Sequence, residues 1–207
     1  ATPRDAEGGS NIEYFCKPLF TYSLIQGIQD GFLAPYKVVQ STLNKDLEGY
    51  IPMPNEKDLL GQEIDKNIFV RYDFGNNIQL MNRQRVVAKR ITEMLNQVGK
   101  MKKTIVFCPR EDEAALMRDL LIENNKKEYN KDNRYVVRIT SSDRVGKQLL
   151  DSFIDPYSDY PVIATTSMLL TTGVDCKTCE LIVIDEEVGS STVFKQMIGR
   201  GTRIHEK

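Results

Sequence analysis

The stretch Thr104-Ile-Val-Phe-Cys-Pro-Arg110 passes from a short β-branched, apolar run into a basic turn, and Glu111 to Glu123 follows with helical spacing. A run this short and this apolar reads as a buried strand. The acids that open the next helix, Glu111, Asp112 and Glu113, sit where the helix dipole favours negative charge. The same alternation continues on both sides. Upstream, Asn77 to Val98 carries Ile78, Met81, Val86, Val87, Ile91, Met94, Leu95 and Val98 at helical intervals. Downstream, Tyr135-Val-Val-Arg-Ile139 reads as a strand, Val145 to Phe153 as a helix, and Pro161-Val-Ile-Ala-Thr165 and Leu181-Ile-Val-Ile184 as strands. Val193 to Ile198 opens a last helix. Strands of this kind separated by helices predict an α/β fold, a mainly parallel sheet with helices on both faces. Ligands of such sheets gather at the carboxyl ends of the strands.

The first third of the chain is less regular. Residues 1–36 read as an arm: Gly8-Gly-Ser10 is flexible, and Tyr14 to Ala34 is amphipathic enough for a short helix broken near Gly27 and Gly31. Tyr36 to Thr42 and Ile68 to Tyr72 read as strands. Residues 43–67 are polar, mixed in charge and punctuated by Pro52 and Pro54, the pattern of a solvated surface excursion.

Bulk properties exclude several classes. With 41% hydrophobic residues, the 207-residue chain can bury a core, and no apolar run is long enough to span a membrane. A net charge of −1 leaves no global field for nucleic acid, so any DNA contact must be local. Four irregularly spaced cysteines suggest reduced thiols in a cytoplasmic protein. Ala1 to Ser10 has neither a basic start nor an apolar stretch, so no signal peptide is expected. It also lacks an initiator Met, and a piece of a longer polypeptide is expected.

The strongest chemical signal is Phe194-Lys-Gln-Met-Ile-Gly-Arg-Gly-Thr-Arg203. Arg200 and Arg203, three apart, project from one side of a helix or tight turn. Two adjacent guanidiniums repel unless a polyanion lies between them, and their forks match phosphate oxygens. Gly199 and Gly201 strip side-chain bulk from both sides of Arg200, so backbone can approach something closely. Alone, this could be an Arg-rich helix end with surface salt bridges. A second signal, Ala164-Thr-Thr-Ser-Met-Leu-Leu-Thr-Thr-Gly-Val-Asp-Cys176, puts hydroxyls and a glycine after a strand, where they can donate to phosphate. Asp175 could accept a sugar hydroxyl. Alone, it could be a polar turn with an ordinary cap.

In this order and spacing, Thr104–Arg110, Ala164–Cys176 and Phe194–Arg203 resemble motifs IV, V and VI of superfamily 2 helicases and translocases. Leu-Leu-Thr-Thr-Gly-Val-Asp and Gln-Met-Ile-Gly-Arg-Gly-Thr-Arg resemble the motor subunit of type I restriction endonucleases. So does Tyr22-Ser-Leu-Ile-Gln-Gly-Ile-Gln-Asp-Gly-Phe-Leu-Ala-Pro-Tyr36, and Ala1-Thr-Pro3 looks like the end of motif III. The resemblance implies a RecA-like second helicase lobe over 37–207, preceded by an interlobe arm over 1–36. It implies Arg203 as an arginine finger on the ATP γ-phosphate, with Arg200 as its partner. Gln196, Gly173, Asp175 and Gly199 would line the nucleotide cleft. Thr140, Ser141, Arg110 and one of Thr166 and Ser167 would meet the DNA backbone. ATP and Mg²⁺ would be bound mainly by a first lobe, since no phosphate loop or Mg²⁺-binding acidic box occurs in this chain. The implied partners are double-stranded DNA, the first lobe and nuclease domain of the same polypeptide, and the modification and specificity subunits. By the same resemblance, this chain is expected to be inactive alone.

Cys176-Lys-Thr-Cys179 has the spacing of half a zinc site, but Cys16, Cys108 and His205 are scattered, so buried thiols and no metal are expected. The stretch Arg83, Arg85, Lys89, Arg90, Lys100, Lys102, Lys103 is basic. A solvated helix face explains it, and sequence-independent phosphate contact through Arg85, Lys89 and Lys102 is the functional alternative. Two rivals to the whole reading remain: a lobe of another superfamily 2 DNA or RNA helicase, and a non-catalytic α/β module binding protein or an anionic ligand.

Overall fold

The computed structural model describes residues 20–41, 81–167 and 176–204. Among these, four parallel strands, β1 (Lys103–Phe107), β2 (Val136–Arg138), β3 (Ile163–Thr166) and β4 (Cys179–Ile184), form one sheet in the order β2-β3-β1-β4. The helices are α1 (Leu24–Gln29), α2 (Met81–Val98), α3 (Glu111–Asn124), α4 (Lys126–Tyr129), α5 (Arg144–Ile154) and α6 (Ser191–Ile198). Thr104 lies opposite Ile163 on one side and Leu181 on the other, which places β1 inside the sheet.

The sequence of β1 follows from burial on both faces. Val106 and Cys108 pack with Ala88, Ile91 and Leu95 of α2 and with Met117 and Leu121 of α3. Ile105 and Phe107 turn to the other face, with Phe153 of α5 and Met197 of α6. A strand covered on both sides has no polar alternation to display. The α/β architecture is therefore the one expected: a parallel sheet between two helical layers.

Two local devices fix α5 against the sheet. The Asp143 carboxylate accepts from the Gly146 N–H at 2.9 Å and caps the helix. Any side chain at Gly146 would put Cβ 2.1 Å from the Arg138 carbonyl oxygen, so the helix can approach β2 only with glycine there. At its far end, the Lys103 ammonium donates to the carbonyls of Ser152, Phe153 and Asp155 at 3.3, 2.8 and 3.3 Å. A cation at a helix carboxyl end is favourable. Lys103 is thus buried structural charge rather than part of a basic surface.

Several expectations need correction. Residues 36–41 are extended but pair with no strand among the described residues. They run beside the edge strand β4 across a groove of about 620 Å³. The arm helix α1 is not broken at Gly27. The Leu33 side chain packs directly on this glycine, where a Cβ would meet Leu33 Cδ1 at 2.7 Å. The chain turns instead at Gly31, whose φ of +77° suits glycine. The short α4 was not anticipated. The expected excursion at 43–67, the strand Ile68–Tyr72, the arm before residue 20 and the first turn of the Asn77–Val98 helix lie outside the described residues.

Candidate functional site

The candidate residues separate to two places. At the carboxyl ends of β2 and β3, each strand runs into a buried threonine followed by a more accessible serine: Thr140 then Ser141, and Thr166 then Ser167. The Thr140 and Thr166 hydroxyls are buried and have no hydrogen-bond partner among the described residues. Of the alternatives Thr166 and Ser167, only Ser167 is accessible to a ligand from outside. Ser141 is exposed, and its N–H and hydroxyl both donate to the Glu111 carboxylate, at 3.1 and 2.5 Å. Arg110, at the end of the β1 turn, bonds Asp112 at 3.1 Å and approaches Glu113 at 3.2 Å.

Because α2 leads back into β1, its first turns lie over this same end of the sheet. Arg83 reaches Asp185, just past β4, at 2.9 Å, and Gln84 donates to Glu113 at 3.2 Å. Arg85 and Lys89 project from the exposed face and form no ion pair among the described residues. The other cations of the basic stretch are committed: Arg90 to Glu93 at 3.2 Å, Lys100 to Glu128 at 3.4 Å and Lys102 to Glu180 at 2.5 Å. Lys102 also precedes β1, at the opposite end of the sheet from the serines.

Sequence reasoning missed the acids at this end. Glu113 is only 2% exposed. Burial pushes its carboxyl up to about 7 against the pull of Arg110. Glu186 is pushed to about 7, by burial first and then by the charge of Asp185. Glu113 could have been found from spacing, because it lies four residues before Met117 on the buried stripe of α3.

The arginine pair sits elsewhere. Helix α6 runs back along β4 and ends at Ile198, so the turn Gly199–Arg203, not a helix, positions both guanidiniums. A Cβ at Gly201 would meet Ile182 Cδ1 at 3.1 Å and the Cys179 carbonyl at 3.7 Å, which places this turn against β4 between Cys179 and Ile182. Not all the informative residues therefore lie at the strands' carboxyl ends. Arg200 is 9% exposed, and Arg203 and Gln196 are partly exposed. The arm joins here: Leu33 forms an antiparallel bridge with Arg203, and the Ala34 N–H donates to the Thr202 carbonyl at 2.7 Å. Gly173 and Asp175 lie outside the described residues.

Cys176 and Cys179 are buried in the second core layer. No group of three or more His, Cys, Asp or Glu residues among the described ones could hold a metal. No described helix is long and apolar enough to cross a membrane.

A parallel sheet ending in hydroxyls, with a glycine-flanked arginine turn beside it, is the form of a helicase lobe. The family of helicase conserved C-terminal domains matches residues 86–205, and the chain belongs to it. Over all 207 residues it is 48% identical to the type I restriction enzyme EcoAI endonuclease subunit of Escherichia coli, of which it spans 26%. It is 26% identical to the EcoKI endonuclease subunit of Escherichia coli strain K12, over 93% of the chain and 18% of that subunit. A solved fragment of an HsdR subunit of a type I restriction enzyme from Vibrio vulnificus YJ016 covers 94% of the chain with a TM-score of 0.72 and 34% identity, the match taking 33% of that fragment. The chain thus spans about a quarter or less of the curated relatives it matches. The resemblance read from the three motifs is borne out by these matches.

Proposed function

We propose that the chain is the second motor lobe of an ATP-dependent double-stranded DNA translocase within a type I restriction endonuclease. The observation that carries this reading is the Gly199–Arg203 turn, with one arginine buried and the other on backbone held by the arm. Arg203 serves as the arginine finger and Arg200 as its phosphate-contacting partner, because planar forks match phosphoryl oxygens bidentately. Gln196 and Gly199 adjoin them in sequence, and the motif resemblance assigns Gly173 and Asp175 to the same cleft, with Asp175 toward the ribose. A first RecA-like lobe of the same polypeptide supplies the phosphate loop and the Mg²⁺ carboxylates. The described residues fit the triphosphate, which needs cations.

At the other end, Ser141, Ser167, Arg110, Arg85 and Lys89 grip the DNA backbone, with Thr140 and Thr166 beneath the serines. Hydroxyls and cations that reach phosphates position a duplex without reading its sequence. Lys102 is left out of the set, being paired with Glu180 at the opposite end. Closure of the two lobes brings Arg203 to the nucleotide, and each cycle of closing and opening shifts the DNA grip. Cleavage belongs to a nuclease domain of the same polypeptide, and site choice to the modification and specificity subunits. The test is ATP hydrolysis by a polypeptide that includes the first lobe. Turnover should rise with duplex DNA, and the 207-residue chain alone should show none. Turnover indifferent to DNA, or turnover by the chain alone, would overturn the reading.

A further inference from the structure

The loop that joins β2 to α5 presents two consecutive serines, Ser141 and Ser142, and successive backbone N–H groups of this kind form a concave site for an anion. Here both residues give everything they have to one side chain. Glu111 Oε1 accepts from the Ser141 N–H at 3.1 Å, the Ser141 hydroxyl at 2.5 Å and the Ser142 N–H at 3.4 Å, and Oε2 accepts from the Ser142 hydroxyl. The two hydroxyls, with the backbone donors adding to them, hold the Glu111 carboxyl down at about 2. The carboxylate comes from the first turn of α3, a separate element, and presents two oxygens to four donors. The two non-bridging oxygens of a phosphodiester present the same pattern and the same charge.

We propose that Ser141 and Ser142 form a phosphodiester-binding nest and that Glu111 is its built-in competitor, filling the nest in the free protein and leaving it when a DNA phosphate enters. This rests on the reading of the serine end as the DNA-facing one and adds to it a residue, Glu111, that opposes binding. Exchanging one anion for another at the same donors gains little free energy. The nest therefore engages firmly only when other contacts have already brought the phosphate to it, which keeps the grip reversible.

The test is binding of a short mixed-sequence DNA duplex to the 207-residue chain at low salt, followed by fluorescence anisotropy, with the Ser141 and Ser142 amide resonances as a second readout. Glu111→Gln should tighten binding about tenfold, the worth of one hydrogen-bonded contact to a charged group. The two amide resonances should move in the free variant and return toward their wild-type positions when DNA is added. Glu111→Asp keeps the charge but is one methylene too short to span both serines, so it should also tighten binding, by less. Ser142→Ala placed in the Glu111→Gln chain should remove most of the gain. If Glu111→Gln tightens binding and Glu111→Asp leaves it unchanged, general charge repulsion is the cause and the competitor is overturned. Weaker or unchanged binding in Glu111→Gln overturns it too, since Glu111 would then be organising the loop. In both cases the DNA-facing reading survives if alanine at Ser141 and Ser142 together weakens binding. No effect of that double substitution, or no binding by any variant, overturns both.

Discussion

The two ends of this lobe are built by different means. At the serine end, the two threonine–serine pairs are placed by the sheet itself: a strand stops, a threonine is buried, and the next residue is accessible. At the arginine end, neither guanidinium is placed by regular structure alone. The turn after α6 is held by glycine contact with β4, and Arg203 is held by a bridge to Leu33 from near the other end of the chain. The serine end should therefore be as rigid as the core. The arginine end can respond to whatever moves the arm, which suits a group needed only at one point of a cycle.

The sharpest way to separate the ends is Arg203→Ala in the intact enzyme. An arginine finger acts on charge that develops in the transition state and is worth on the order of 10³–10⁵ in rate. Turnover should fall by that factor while nucleotide affinity changes far less, and Arg203→Lys should rescue little because an ammonium lacks the planar fork. Duplex binding should be unaffected and DNA cleavage should fail with translocation. Steady-state ATPase and equilibrium DNA binding on the same preparation check this. Near-normal turnover in a folded variant would make Arg203 a surface or capping residue.

Gly146→Ala attacks the opposite end. Its Cβ would collide with the Arg138 carbonyl at 2.1 Å, and both partners are backbone, so α5 and the serine loop before it must shift. A loss of about 3 kcal/mol, the upper range for overpacking, is expected in urea unfolding. Duplex binding should weaken even under conditions where the variant remains folded. A neutral substitution would mean that α5 can slide along β2, and that the serine end is not rigid.

The same contrast explains what the sequence revealed. The strands, the two helical layers and the hydroxyls after β3 were legible because burial on both faces leaves only short apolar runs, and those runs end where polar residues begin. The arginine motif was legible as chemistry, yet its position against Cys179 and Ile182 of β4 was not. No local pattern announces that Leu33 and Ala34 pair with residues 202–203, because a single bridge between distant segments leaves no periodicity. Lys103 looks like one more surface cation for a related reason: composition counts charges, whereas the α5 carbonyls that this one caps are brought to it only by folding. Glu113 was hidden by an explanation that was true but incomplete, since the helix dipole accounts for an acid in a first turn without requiring that it be buried.

Glu113 also gives the serine end a pH signature that the arginine end lacks. Burial pushes Glu113 and Glu186 up to about 7 from an ordinary 4.5, so the folded chain retains protons that the unfolded chain has released across that window. Stability should then fall as pH rises from about 4.5 to about 7 and level off above it. Glu111 works in the opposite sense and lower down: its carboxyl is held near 2, so its contribution is lost as pH falls from 4.5 toward that value. Glu113→Gln should flatten the upper window by on the order of 2 kcal/mol, allowing for solvent screening. Urea midpoints of both chains at about pH 5 and about pH 8 measure it. An unchanged slope would place the titration on another group.

The smallest effect concerns the cations, and it distinguishes charges by end rather than by type. If Arg85 and Lys89 each neutralise one DNA phosphate, replacing either by Gln removes about one counterion from those released on binding. The slope of log K against log salt should then become shallower by about 0.9 for each, with the same loss on any duplex sequence. Lys102 is equally basic in the sequence, but it is held 2.5 Å from Glu180 and precedes β1, away from the serines. Lys102→Gln should therefore leave the slope within experimental error of the parent chain. Binding titrations at several salt concentrations decide between these outcomes. A slope reduced as much by Lys102→Gln as by Lys89→Gln would mean that the duplex wraps past the sheet to its amino end, and the separation of the two ends would no longer hold.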